Sequence, residues 1–161
     1  MAPTPAPGET SLMALLTTLK TSLSPATYVF VTVTQSIQEY KPLPTLDIQM
    51  LFREAEGTTI ITTLESAQSH KLEYTFPCKM ITLNIHSSLE AVGFMAAVSA
   101  KLTEKGIGVN PVSGFYHDHC FVSVGREEEA MNLLDEMAED ARKRVGTELN
   151  TIEGYETPVG S

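Results

Sequence analysis

Three of the four histidines fall in two short polar runs, His86-Ser87-Ser88 and His117-Asp118-His119, each bordering an apolar stretch. Serine hydroxyls donate and accept hydrogen bonds, and an aspartate is the natural counter-charge for an ammonium group. Imidazoles at alternate positions share one face of an extended chain, so His117-x-His119 with His86 or Asp118 also has the residue types of a metal site. Histidines serve equally to cap hairpins, and no Glu-x-x-His or Cys-x-x-Cys accompanies these. The reading therefore takes no metal and no cofactor. The sequence contains no Gly-x-Ser-x-Gly, phosphate loop, Gly-x-Gly-x-x-Gly or His-Glu-x-x-His, and Glu54 and Glu56 read as exposed turn acids. No catalytic residue is assigned, and a non-catalytic protein is expected.

The elements that must position these runs are written in the hydrophobic period. From Cys78 to His86, Ile81, Leu83 and Ile85 alternate with Thr82, Asn84 and His86, the pattern of a half-buried strand. Val92, Met95, Val98 and Leu102 then recur at helical spacing, with Gly106 as a left-handed stop. This places Ser87, Ser88, Leu89, Val92 and Gly93 at a helix N-terminus, whose free amides suit a carboxylate and whose glycine permits close approach. Ser87-Ser88-Leu89-Glu90 is also a capping box, and spacing alone favours the cap over a ligand contact.

Val109 to Tyr116 and Cys120 to Val124 read as a hairpin joined by His117-Asp118-His119. Such a hairpin turns at the end of the sheet where the preceding strand exits. His117, Asp118 and His119 should thus approach His86, Ser87 and Ser88, with Asn110, Ser113 and Gly114 contributing from the side. Phe115-Tyr116 reads as core or sheet packing. A helix from about Arg126 presents Ala130, Leu133, Leu134, Met137, Ala138 and Ala141 on one face. The order β-α-β-β-α is most of a ferredoxin-like unit, with Gly146 to Ile152 as a weak closing strand.

The N-terminal half is less regular: a short helix through Leu12, Leu15, Leu16 and Leu19, a strand at Tyr28 to Thr34, a hairpin around Glu56-Gly57, and a short helix from Leu64 to His70. The expected organisation is a flexible tail over 1–9, an incomplete half over 10–76, a fuller unit over 77–145, and a weak strand or tail over 146–161. The chain has 161 residues, 42 % of them apolar, which is ample for a core. A net charge of −9 argues against nucleic acid, and no apolar run approaches the ~20 residues of a membrane span. The proline-rich start lacks the features of a secretory signal. Cys78 and Cys120 should sit at opposite strand ends, unbridged, as reduced thiols of a cytoplasmic protein.

Phe52 to Ile61 (FREAEGTTII) and Ile81 to Val124 (ITLNIHSSLEAVGFMAAVSAKLTEKGIGVNPVSGFYHDHCFVSV) resemble the small double-ACT proteins. These are similar to the regulatory modules of aspartate kinases and to the ACT domains of the cytosolic arginine sensor. The resemblance runs from about Gly8 to Met137. It implies an α+β fold with an ACT-type βαββα(β) unit in the C-terminal half and an incomplete ACT-like N-terminal half. It also implies a regulatory protein that binds an amino acid or similar small metabolite, pairs as a homodimer, and uses the serine-rich turn as its site. The alternative is a ligand-free module that docks a partner protein through its sheet edges.

Overall fold

The computed structural model describes residues 8–35, 39–40 and 43–153, with side chains to residue 147. The tail at 1–7 and the segment 154–161 lie outside the described residues. In chain order the elements are α1 (Leu12–Thr18), β1 (Thr21–Leu23), β2 (Tyr28–Val33), β3 (Ile48–Arg53), β4 (Thr58–Thr63), α2 (Leu64–Ser69), β5 (Thr75–Leu83), α3 (Phe94–Thr103), β6 (Val109–Ser113), β7 (Asp118–Ser123) and α4 (Glu127–Glu153). The strands form one seven-stranded antiparallel sheet in the order β3-β4-β2-β5-β7-β6, with β1 also on β5. The fold is α+β and ferredoxin-like.

Strand β5 joins the two halves. Its first residues pair with β2 (Tyr28 opposite Cys78), and its last pair with β1 (Leu23 opposite Ile81, Thr21 opposite Leu83). Its other edge pairs with β7 from Cys78 opposite Ser123 to Leu83 opposite Asp118. Where β2 meets the start of β5 the register shifts, and Phe76 there has φ 53°, the local signature of a bulge.

Alternation sorts the side chains into layers. Ile81, Leu83, Cys120 and Val122 face α1, α3 and α4, whose Leu15, Leu19, Val98, Leu102, Leu134 and Ala138 complete the main core. Cys78, Met80 and Phe121 face the opposite side and pack with Tyr28 and Ile61, Tyr28 meeting Phe121 edge-on at 5.7 Å. A third cluster lies under α2, built from Val29, Val31, Val33, Ile60 and Ala67. The thiols of Cys78 and Cys120 are free, on opposite faces, and burial pushes both up to about 12.

Three expectations from the sequence are corrected. The closing strand is not Gly146 to Ile152, which continues α4; the place beside β5 is taken by β1, from the other end of the chain. The hairpin turn is Gly114 to His117, so Asp118 and His119 are strand residues and not the turn itself. Phe115 and Tyr116, expected in core or sheet packing, stand 57 % and 55 % exposed at that turn. The segment that feeds α1 and β1 is read from sequence as part of the N-terminal half, yet Leu15 and Leu19 pack in the main core with the C-terminal elements. A seven-residue helix is marginal by itself; α1 is held by those two leucines, each of which contributes about 2–5 kcal/mol against truncation to alanine.

Helix α2 ends in a Schellman pattern: Leu72 N–H donates to Ala67 C=O at 2.9 Å and Lys71 N–H to Gln68 C=O at 3.0 Å. Lys71 occupies the left-handed position, with φ 54° and an exposed side chain. A left-handed residue with a Cβ costs about 1 kcal/mol. Lys71→Gly should therefore raise the thermal midpoint by about 2–4 °C, read by calorimetry.

Candidate functional site

Beyond β5 the chain crosses a loop, Asn84 to Gly93, before α3 begins. The expected capping box does not form. Gly93 is the N-cap at φ 88°, and no side chain caps the helix. A left-handed residue cannot extend the helix backwards, so Val92 stays in the loop, 84 % exposed. The first backbone bond of α3 runs from Ala97 N–H to Gly93 C=O. The amides of Phe94, Met95 and Ala96 are therefore without an intrahelical acceptor.

Ser87 is spent elsewhere than on the helix. Its hydroxyl donates to Asp118 Oδ2 at 2.9 Å, and both residues are buried, at 9 % and 6 % exposure. Asp118 stands opposite Leu83 in the β5–β7 ladder and opposite Ser113 in the β6–β7 ladder. Its side chain points to the helical face, under the loop. Ser88 Oγ accepts from Glu90 N–H at 3.1 Å, closing the turn that also joins Ala91 N–H to Ser88 C=O.

A cleft of about 160 Å³ lies between these groups. Its walls are Ser87, Ser88 and Leu89 from the loop, Gly93, Phe94 and Met95 from the start of α3, and Ser113 and Asp118 from the hairpin. A buried carboxylate is costly without compensation. Among the described residues Asp118 has the Ser87 hydroxyl and no ion pair, the ion pairs lying on and between α3 and α4. Uncapped amides and a buried anion thus line one cleft, complementary to the two ends of a zwitterion. No described group of three metal-ligating side chains accompanies them.

The structure brings together Ser87, Ser88, Leu89, Gly93, Ser113 and Asp118. It leaves Val92, Asn110, Gly114, His117 and His119 outside the cleft, for reasons of geometry. Asn110 is an odd number of residues from Ser113 and therefore lies on the other face of β6. Gly114 belongs to the turn, where an added Cβ would sit 2.9 Å from His117 C=O. His117 donates through Nδ1 to Ile85 C=O at 3.0 Å, tying the loop to the hairpin. His86 packs its ring 5.6 Å from that of Tyr116. His119 alternates with Asp118, faces away, and shares a 3.0 Å hydrogen bond between Nδ1 and Thr82 Oγ1. Sequence reading missed Gly8 and Glu9: Glu9 N–H donates to His86 C=O and Glu9 C=O accepts from Ser88 N–H, both at 2.9 Å. Both bonds are made by main-chain atoms, which leave no mark on residue type.

Burial lowers the His119 pKa below its ordinary value, the His117 charge adds to this, and Asp118 opposes it. A lowered folded value means that the unfolded chain binds the proton more readily. The contribution is complete above about pH 6.5 and is lost as pH falls through the folded value. Urea midpoints measured across this range should therefore decline on the acid side, and His119→Asn should flatten that decline.

Comparison with known proteins agrees with this architecture. ACT-domain family models match residues 7–79 and 75–136. A Vibrio cholerae protein of unknown function, described as a possible transport protein, is 39 % identical, covers 79 % of this chain and 95 % of its own, and superposes with a TM-score of 0.70. An Agrobacterium tumefaciens protein shares the fold at 17 % identity and TM-score 0.61, over 74 % of this chain and 89 % of its own. The regulatory subunit of aspartate kinase from Thermus flavus shares it at 7 % and 0.52, over 74 % and 95 %. No curated protein matches significantly. With two consecutive ACT units and a close solved relative, the chain belongs to the ACT-domain family as a double-ACT protein.

Proposed function

We propose that this protein is a non-catalytic regulatory sensor that holds a free α-amino acid in the cleft between the 84–93 loop and the hairpin. The two ACT matches support a regulatory, ligand-binding role in general. The observation that carries the finer reading is Asp118, a buried carboxylate with no cation among the described residues, which shares a cleft with the uncapped start of α3. The ligand's carboxylate would take the amides of Phe94 to Ala96. Its ammonium would meet Asp118 and Ser113, with Leu89 and Met95 against its side chain. Ligand would shift the populations of loop and helix arrangements, and so alter a partner. The protein would act in the cytoplasm as a homodimer. No helix among the described residues is long and apolar enough to cross a membrane.

The edge strand β3 favours a second reading. Among the described residues it pairs only with β4, and Phe52 on it is 61 % exposed, which suits docking of a partner protein without a small ligand.

A thermal-shift screen of the proteinogenic amino acids separates the two. Ligand at 100 times its Kd contributes about 2.7 kcal/mol, or roughly 5–10 °C for a chain of this size. Asp118→Asn keeps an acceptor for Ser87 and removes the charge. It should weaken binding at least about tenfold, and removing the ligand's amine (propionate for alanine) should do the same. Failure of every amino acid to raise the midpoint at millimolar concentration would overturn the sensor reading and favour docking.

A further inference from the structure

The loop that forms one wall of the cleft is gripped from behind by the N-terminal segment. Glu9 and Ser87 form a parallel bridge, closed by Glu9 N–H to His86 C=O and Ser88 N–H to Glu9 C=O, each 2.9 Å. Gly8 makes the closest approach: a Cβ there would stand 2.5 Å from Ser88 N and 2.6 Å from Ser87 C. These are backbone atoms, so a side chain at position 8 could be accommodated only by moving the segment and the loop apart.

The segment is in turn anchored. The Glu9 carboxylate accepts from Thr10 N–H at 2.8 Å and Ser11 N–H at 2.7 Å, and these bonds lower its pKa. Ser11 caps α1 through Ala14 N–H, and α1 is fixed in the main core by Leu15. Leu12 reaches the start of α3, its Cδ2 lying 3.7 Å from where a Cβ on Gly93 would be.

We propose that Gly8 and Glu9 form a positioning strap for the ligand loop, so that docking of the N-terminal segment and occupancy of the cleft are coupled. The inference rests on the amino-acid reading of the site. The strap takes the Ser88 amide out of the cleft's donor set and fixes the peptide from His86 to Ser88, which aims Ser87 Oγ at Asp118. It acts through main-chain groups: the Glu9 side chain matters only for the local turn. Coupling of this kind is reciprocal, so a ligand that needs the ordered loop also tightens the strap.

The test compares the wild-type chain with Gly8→Val, Glu9→Pro, which deletes the donor to His86, and Glu9→Gln, which keeps every main-chain bond. Two quantities are read: hydrogen exchange at the Ser88 amide without additives, and the thermal shift produced by a mixture of the proteinogenic amino acids at millimolar concentration each. Gly8→Val and Glu9→Pro should speed Ser88 exchange about tenfold or more and remove most of the shift, while Glu9→Gln changes neither. Far-ultraviolet circular dichroism confirms that the variants are folded. If one does not fold, the other carries the comparison. A full shift in folded Gly8→Val or Glu9→Pro overturns the coupling. If the wild type itself shows no shift, the amino-acid reading fails separately. The strap then stands or falls on exchange alone: unchanged Ser88 exchange in Glu9→Pro overturns it, and faster exchange in that variant supports its grip on the loop.

Discussion

Everything in this molecule is referred to β5, a strand buried on both faces and paired along both edges. Ile81 and Leu83 are inaccessible on the helical side, and Cys78 and Met80 are buried on the other. A one-residue slip would exchange those two sets, turning Thr82 into the main core and Ile81 and Leu83 out of it, so register is pinned by packing as well as by hydrogen bonds. The same pinning determines where the site can be. Leu83 pairs with Asp118; the carboxylate therefore sits beside the last residue of the strand, and Ser87 needs only a short excursion of the loop to reach it.

The electrostatics of the cleft follow from that placement. A carboxylate as buried as Asp118 depends on nearby dipoles, and the Ser87 hydroxyl supplies one at 2.9 Å. Its field acts within the hairpin: the negative charge adds to burial in pushing the Cys120 thiol up to about 12 and opposes the lowering of His119. On the proposed reading, a zwitterion would bring a dipole into this cleft and no net charge: its negative end would meet amides that favour an anion, and its positive end the Asp118 carboxylate. A free anion would have to share the cleft with Asp118, and a free amine would leave the helix amides unanswered.

The sequence made most of the elements legible because their physics is local. The Ile81-Leu83-Ile85 alternation, the acid-rich start and apolar stripe of α4, and the β3–β4 turn at Glu56-Gly57 all declare themselves over a few residues. The proximity of Ser87 to Asp118 was legible too, since it follows from antiparallel order alone. What was not legible depends on partners distant in sequence or on main-chain conformation. Ser87-x-x-Glu90 has the composition of a capping box, but Gly93 in the left-handed region resets the helix start and frees the serine for the hairpin. Asn110 and His119 are correct in type for a polar site, yet parity places them on the wrong face. The closing strand is not at Gly146 to Ile152, which continues α4; the place beside β5 is held by Thr21–Leu23, far upstream in sequence.

That last substitution explains why the N-terminus matters to a site built from residues 87–118. The segment before β2 supplies three things in succession: the bridge at Glu9, the packed face of α1, and the strand β1. Arg142 on α4 donates to Thr17 C=O at 3.1 Å, so the long helix holds the exit of α1 as well. Each contact closes a loop of many tens of residues. The entropic cost of closure grows only slowly with loop length and is largely met once the first contact forms. Leu15 and Leu19 bury enough surface to bear that first closure, after which the two hydrogen bonds of Glu9 form at little further entropic cost. Two modest bonds can therefore order the 84–93 loop only because a helix buried in the core delivers them there, which makes the main core and the cleft parts of one construction.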